Sequence, residues 1–163
     1  MKGCKQQILA SIPSNNCCSH AFLSVVIDLC GFVDVQNSRL LINASNEVCE
    51  KTTKIVANFY PNVIINTWKE FLMLTGDIRS ILVDCNLDSA PNYALFDSDC
   101  DQLTLLKTLF VICGNFYCEL NSNQNSKGYN LEFFMRPERQ DLLKTLLTKF
   151  GFDFKSKPRQ NGI

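Results

Sequence analysis

Apolar residues recur at three- and four-residue spacing at Phe22, Leu23, Val26, Ile27 and Cys30, which predicts a helix from about Ser19 to Cys30. Gly31 follows directly, and a glycine in the left-handed conformation is the expected helix stop. "FVDVQNSRLLIN" then reads as two short strands around the turn-prone Gln36-Asn37-Ser38. A second helical stripe, Val48, Thr52, Ile55, Val56 and Phe59, opens at a Ser45 or Asn46 cap and stops at Pro61. "NVIINTWKEFLML" reads as a second hairpin, and Ile78, Ile81, Leu82 and Cys85 define a third helical face. A short polar helix before Pro13 precedes all of these.

"DSAPNYALFDSD" is a linker by composition, and the order restarts after it. Asp101 to Cys113 reads as a helix ended by Gly114, and "NFYCEL" and "YNLEFFM" as strands flanking a polar loop. Pro137 opens a further helix carrying Leu142, Leu143, Leu146, Leu147 and Phe150, capped at Gly151, and "FDFKSK" reads as the start of a strand. The two halves match without gaps over their first helices. Cys17 and Cys100, Cys30 and Cys113, and Gly31 and Gly114 are separated by one and the same interval. Such a repeat fixes the architecture. Two apolar helices, each ending in Cys-Gly, are predicted to pack side by side under strands and to deliver their last residues to one place. A bulky group in place of either glycine is expected not to fit where the backbones approach.

Composition narrows the chemistry. The 163 residues suit one domain or two small fused halves, and a 46% hydrophobic fraction supports a packed core. Sixteen basic and sixteen acidic residues cancel, which argues against an extensive basic surface for nucleic acid. No apolar run reaches the roughly 18 residues of a membrane span. Nine cysteines, an odd number set inside regular elements, read as reduced thiols in the cytosol rather than a disulfide framework. No C-x2-C pair exists and His20 is the only histidine, so spacing supports no zinc site; buried small side chains are the plain reading, with no metal or cofactor.

Leu23 to Gly31 resembles the LAGLIDADG motif of homing endonucleases letter by letter, keeping Leu23, the pair Ile27-Asp28 and Gly31. The second copy, Leu106 to Gly114, keeps the first leucine and the glycine. Cys17-Cys18, "RLLINASNEV" and "RQDLLKTLLTKFGF" are in turn similar to the N-terminal domain of the bacterial WhiA family, whose members carry a degenerate LAGLIDADG scaffold followed by a helix-turn-helix. Cys100-Asp101, Leu105-Leu106, Leu109-Phe110 and Cys113-Gly114 match the family's second motif; Lys107-Thr108 stands where it has Arg-Gly. The resemblance runs from about Ile8 to Phe154.

It implies an α+β fold of two helix-hairpin-helix-hairpin-helix units about a pseudo-twofold axis, with two central motif helices under an antiparallel saddle sheet. Residues 1–16 would be an N-terminal extension, 17–88 the first repeat, 89–99 the linker and 100–163 an incomplete second repeat. It implies a cytoplasmic DNA-binding regulator tied to sporulation and cell division, whose helix-turn-helix would lie past Ile163. In the nucleases the last acidic residue of each motif binds a divalent metal; here those positions are Cys30 and Cys113. A neutral thiol is a poor ligand for Mg²⁺, and phosphodiester cleavage by two metals needs oxygens that bridge the ions. Asp28, about 200° round the helix from Cys30, cannot stand in. The expectation is a catalytically empty site and no enzyme. Candidate DNA contacts are Arg39, Asn66, Lys69, Lys127, Lys155, Lys157 and Arg159. Asp34, Glu70, Glu119, Glu132 and Asp153 share their segments, so DNA binding by this chain alone is expected to be weak. The alternative is a protein-interaction module on the same scaffold. Trp68 and Phe71 could form an exposed aromatic contact, but strand aromatics are more often core, and they read as core here.

Overall fold

The computed structural model describes residues 2–120 and 127–158; nothing is described of the side chains of Lys2, 118–120 or 127–129. It is an α+β protein. Helix α1 (Lys2–Ala10) precedes α2 (Asn16–Cys30), β1 (Gly31–Asp34), β2 (Arg39–Asn43), α3 (Asn46–Phe59), β3 (Val63–Trp68), β4 (Phe71–Gly76) and α4 (Ile78–Asp84). After residues 85–98 come α5 (Asp99–Cys113), β5 (Gly114–Leu120), β6 (Lys127–Phe133) and α6 (Gln140–Lys149). The order helix, hairpin, helix therefore occurs in both halves.

The helices begin where polar caps satisfy the first backbone donors. Asn15 Oδ1 accepts from Cys18 N at 2.8 Å, and the Ser98 hydroxyl accepts from Asp101 N at 3.1 Å. Both caps lie earlier than apolar periodicity alone predicts, so α2 and α5 gain a polar first turn. Gly151 at φ +76° closes α6, with Phe152 N–H donating to Leu147 O and Gly151 N–H to Thr148 O, as expected for a glycine beyond a helix end.

Strands β1–β4 form an antiparallel sheet in the order β1-β2-β4-β3, and β5 and β6 form a separate hairpin. Leu40, Ile42, Leu72 and Leu74 point from the inner face into the main core, against Phe22, Leu23, Val26 and Ile27 of α2. The opposite side of α2, through Ala21 and Val25, enters a second core with Leu105 and Leu109 of α5 and Leu143, Leu146 and Leu147 of α6. Helix α2 is thus buried nearly all round, and α5 packs directly on it. Both helices belong to two cores, which fixes them at the centre of the fold.

Three expectations need correction. Gly31 and Gly114 are not left-handed: their φ values are −95° and −87°, and each is the first residue of a strand. The chain passes from helix to strand without a loop. A Cβ on Gly31 would fall on the carbonyl oxygen of Ile27, and one on Gly114 on the Phe110 ring and 2.6 Å from the Phe110 oxygen. The nearest atoms in each case belong to the helix's own last turn rather than to the other helix. Second, "FDFKSK" forms no strand. The segment 152–158 joins neither sheet, and Phe152 and Phe154 are both exposed, so its apolar residues bury no face. Third, the stretch between the halves is not a bare linker, because Phe96 is buried in the second core and the Tyr93 hydroxyl donates to Asp28.

Candidate functional site

Helices α2 and α5 run side by side in the same direction, and two clusters follow, one at each end. At the C-terminal end lie Cys30 and Cys113, both half-buried. Burial, and then the neighbouring Cys113, push the Cys30 thiol up to about 11. Burial also raises Cys113, against the opposing effects of Lys5 and Arg136. Both are neutral thiols near pH 7. A cleft of about 630 Å³ opens beside Cys30, lined by Lys5, Gln6, Asn43, Lys69 and Glu70 among others.

Asp28 does not face that cleft as a free carboxylate. Arg139, just before α6, donates from Nε to Asp28 Oδ2 at 2.5 Å and from Nη2 to Oδ1 at 2.9 Å, and the Tyr93 hydroxyl donates to Oδ2 at 2.6 Å. Burial alone would raise the Asp28 pKa; the Arg139 and Tyr93 hydrogen bonds outweigh it and hold the carboxyl below its ordinary range. Arg136 adds a bond to the Leu29 carbonyl oxygen at 3.1 Å. Two arginines from the second half therefore clamp the last turn of α2. Asp28 is a structural anchor, and this pairing across 111 positions leaves no local signal in the sequence.

The N-terminal end holds Cys17, Cys18, Cys100 and Asp101. The Cys18 and Cys100 sulfurs are 2.7 Å apart. The Asp101 carboxylate beside Cys17 is the main cause that pushes that thiol up to about 11. The search for C-x2-C spacing misses this group because its members come from two helices. The repeat interval pairs Cys17 with Cys100, and that signal, applied to two parallel helices, would have found it. The plain reading of the cysteines holds for Cys18, Cys49 and Cys85, which are buried, and fails for Cys4, Cys17 and Cys100, which are exposed. His20 lies apart, with Nε2 2.8 Å from the Tyr60 hydroxyl, which donates to Asp84 Oδ2 at 2.8 Å.

Among the described residues, Arg39 and Asn66 share the outer sheet face, whereas Lys69, Lys155 and Lys157 are not on its strands. Arg39 sits at one end of β2 and pairs with Asp34 at 2.8 Å. Lys69 lies in the turn after β3, at the other end of the sheet, where Asn43 faces Phe71. By register that separation is about 14 Å. Lys155 and Lys157 are exposed on the irregular 152–158 segment, not on a strand face. Lys127 starts β6, but its side chain lies outside the described residues, as does Arg159 altogether. Asn66 is on the outer sheet face opposite Met73.

That outer face is mainly apolar. Phe32, Ile64 and Trp68 are 65%, 62% and 56% exposed, Leu41 and Phe71 lie opposite Phe32 and Trp68, and Met73 lies opposite Asn66, with Asn43 and Thr75 as further polar positions. Trp68 is not core: its ring lies 5.5 Å from that of Phe71, tilted by 52°, on the open side of the sheet. Among the described residues, the only charged strand side chains on this face are Asp34 and Arg39, which neutralise each other. No helix among the described residues is long and apolar enough to cross a membrane. Compared with protein-family models, with curated proteins and with solved structures, the chain matches none of them.

Proposed function

We propose that this chain is the non-catalytic, LAGLIDADG-like domain of a WhiA-like DNA-binding regulator linked to cell division and sporulation. The observation that carries the reading is the meeting of α2 and α5 at Cys30-Gly31 and Cys113-Gly114, with neutral thiols where the nucleases hold carboxylates. The remaining acid of the motif, Asp28, is already committed to Arg139 and Tyr93. With a thiol in place of the carboxylate at each motif terminus, the two positions that hold the ion in the nucleases are poor ligands for Mg²⁺. Supercoiled plasmid incubated with the protein and Mg²⁺ or Mn²⁺ is expected to stay unnicked. Nicking by highly purified protein that disappears in a Cys30→Ser, Cys113→Ser double variant would sink the non-catalytic reading.

DNA contact through this chain alone is weak in this reading, since net charge is zero and the one described strand arginine on the outer sheet face is paired. Filter binding across a salt series should give a shallow dependence of affinity on salt, because few counterions are released. Tight, sequence-selective binding at physiological salt would contradict it.

One observation favours a second reading, a protein-interaction module on the same scaffold without DNA binding. A sheet face carrying exposed Phe32, Ile64 and Trp68 and no net charge suits an apolar protein surface better than a phosphate backbone. Undetectable DNA binding even at low salt would move the assignment to this second reading.

A further inference from the structure

Helices α2 and α5 each begin with a capping residue, and each carries potential ligands at its second and third positions: Cys17-Cys18 and Cys100-Asp101. The Cys17 and Cys18 sulfurs and an Asp101 carboxylate oxygen all lie within 4.8 Å of one another. The Cys100 sulfur adjoins this group at 2.7 Å from that of Cys18, well inside ordinary contact between sulfurs that share no bond. Asp101 is 7% exposed, and its Oδ1 has no hydrogen-bond partner. A buried carboxylate oxygen left without a partner is costly and calls for a reason. Among the described residues no lysine, arginine or histidine pairs with it. What the group lacks is a cation.

We propose that Cys17, Cys18 and Asp101 bind a divalent metal of the zinc class, with Cys100 as fourth donor. Thiolates select a borderline-soft ion over Mg²⁺ or Ca²⁺. Ligands held about 2.0–2.3 Å from a tetrahedral zinc are about 3.5 Å from each other. Cys17, Cys18 and Asp101 need only draw together slightly, and Cys18 and Cys100 must separate by about 1 Å around the ion. Binding releases the thiol protons to solvent, so affinity rises with pH. A Cys18–Cys100 disulfide would consume two donors and still leave Asp101 Oδ1 unsatisfied. Exposed Cys17 and Cys100 give the ion an entry path. The ion would pin α2 to α5 at the end opposite Cys30 and Cys113, about 20 Å away along the helices.

The test is titration of the full, reduced chain with Co²⁺, followed by displacement with Zn²⁺. The expected result is a saturable thiolate-to-cobalt charge-transfer band with tetrahedral visible bands, and a Tm that rises on adding Zn²⁺. Cys17→Ser, at an exposed position, and Asp101→Asn should each weaken Co²⁺ binding at least about tenfold, as loss of even an outer partner does. The Cys30→Ser, Cys113→Ser double variant should keep the band. No charge-transfer band, or a full-strength band in Cys17→Ser, overturns the proposal. So does mass spectrometry after thiol alkylation that finds a Cys18–Cys100 disulfide in protein unable to take up Co²⁺ once reduced.

Discussion

Replacing Asp28 with alanine should cost about 3 kcal/mol of folding stability, the low end of the range for breaking a buried ion pair, because Arg139 remains a quarter exposed. The Asp28 side chain is 9% exposed and receives three hydrogen bonds, so its removal leaves a guanidinium and a phenol with no acceptor. Tyr93→Phe, which removes one of those bonds, should cost about 1 kcal/mol. Asp28→Ala combined with Arg139→Met should recover part of the loss, since the unpaired charge goes with its partner. Urea melts of the parent chain, the single variants Asp28→Ala, Tyr93→Phe and Arg139→Met, and the double variant supply the comparison. Equal, additive losses for Asp28→Ala and Arg139→Met would show that the two residues do not act as a pair.

The same site makes a pH prediction. Asp28 has a folded pKa below its unfolded value of about 3.9. Between the two values the unfolded chain binds more protons, so stability rises with pH there. The contribution is fully present above about pH 4 and is lost as pH falls through the folded pKa. Asp28→Asn should therefore flatten the acid limb of stability against pH. Asp34 and Asp99 are also lowered, by hydrogen bonds from Asn37 and Lys149 respectively, but both pairs lie at the surface and should move the limb little. An unchanged acid limb in Asp28→Asn would remove Asp28 from the origin of acid sensitivity.

The helices and hairpins were legible because each carries its own period. Phe22, Leu23, Val26 and Ile27 mark one side of α2 for the main core, just as their spacing implies. The N-cap Ser45 and the stop at Gly151 are local chemistry, and local chemistry is what a sequence states directly. What was not legible depends on distant partners. Whether "FDFKSK" becomes a strand depends on its docking against a distant strand, not on its own alternation. Whether Trp68 is core depends on which face of the sheet the helices cover, and alternation defines two faces without saying which is inside. Asp28 meets Arg139 only because α6 folds back on α2. The sulfur cluster lies between these cases. The repeat interval was visible, but bringing Cys17-Cys18 to Cys100-Asp101 also required knowing that α2 and α5 are parallel neighbours.

Gly31→Ala should destabilise the protein by about 2 kcal/mol, although its dihedrals predict the opposite sign. At φ −95° and ψ 153° alanine is at ease, and a glycine-to-alanine change at a compatible position ordinarily stabilises by about 0.4–1 kcal/mol through the unfolded chain. Sterics overrule that gain. The added methyl falls on the Ile27 carbonyl oxygen and lies 3.0 Å from the Ile27 Cα, and both are backbone atoms of a helix buried on nearly every side. Relief would mean unwinding the last turn of α2, where Arg136 and Arg139 are anchored. Gly114→Ala meets the Phe110 backbone oxygen at 2.6 Å as well as its ring; the ring can turn but the oxygen cannot, so a similar loss is expected. Gly3→Ala is the internal control. Nothing lies within 4 Å of its Cβ position inside α1, and it should stabilise by up to about 1 kcal/mol. Because each clash is with the helix's own last turn, the Gly31 and Gly114 losses should add to within about 0.5 kcal/mol in the double variant. Urea melts of the three single variants and the double decide it. A neutral or stabilising Gly31→Ala would mean that the direct passage from helix to strand does not depend on glycine. Strong non-additivity would mean that the two backbones crowd each other after all, as the repeated Cys-Gly endings first suggest.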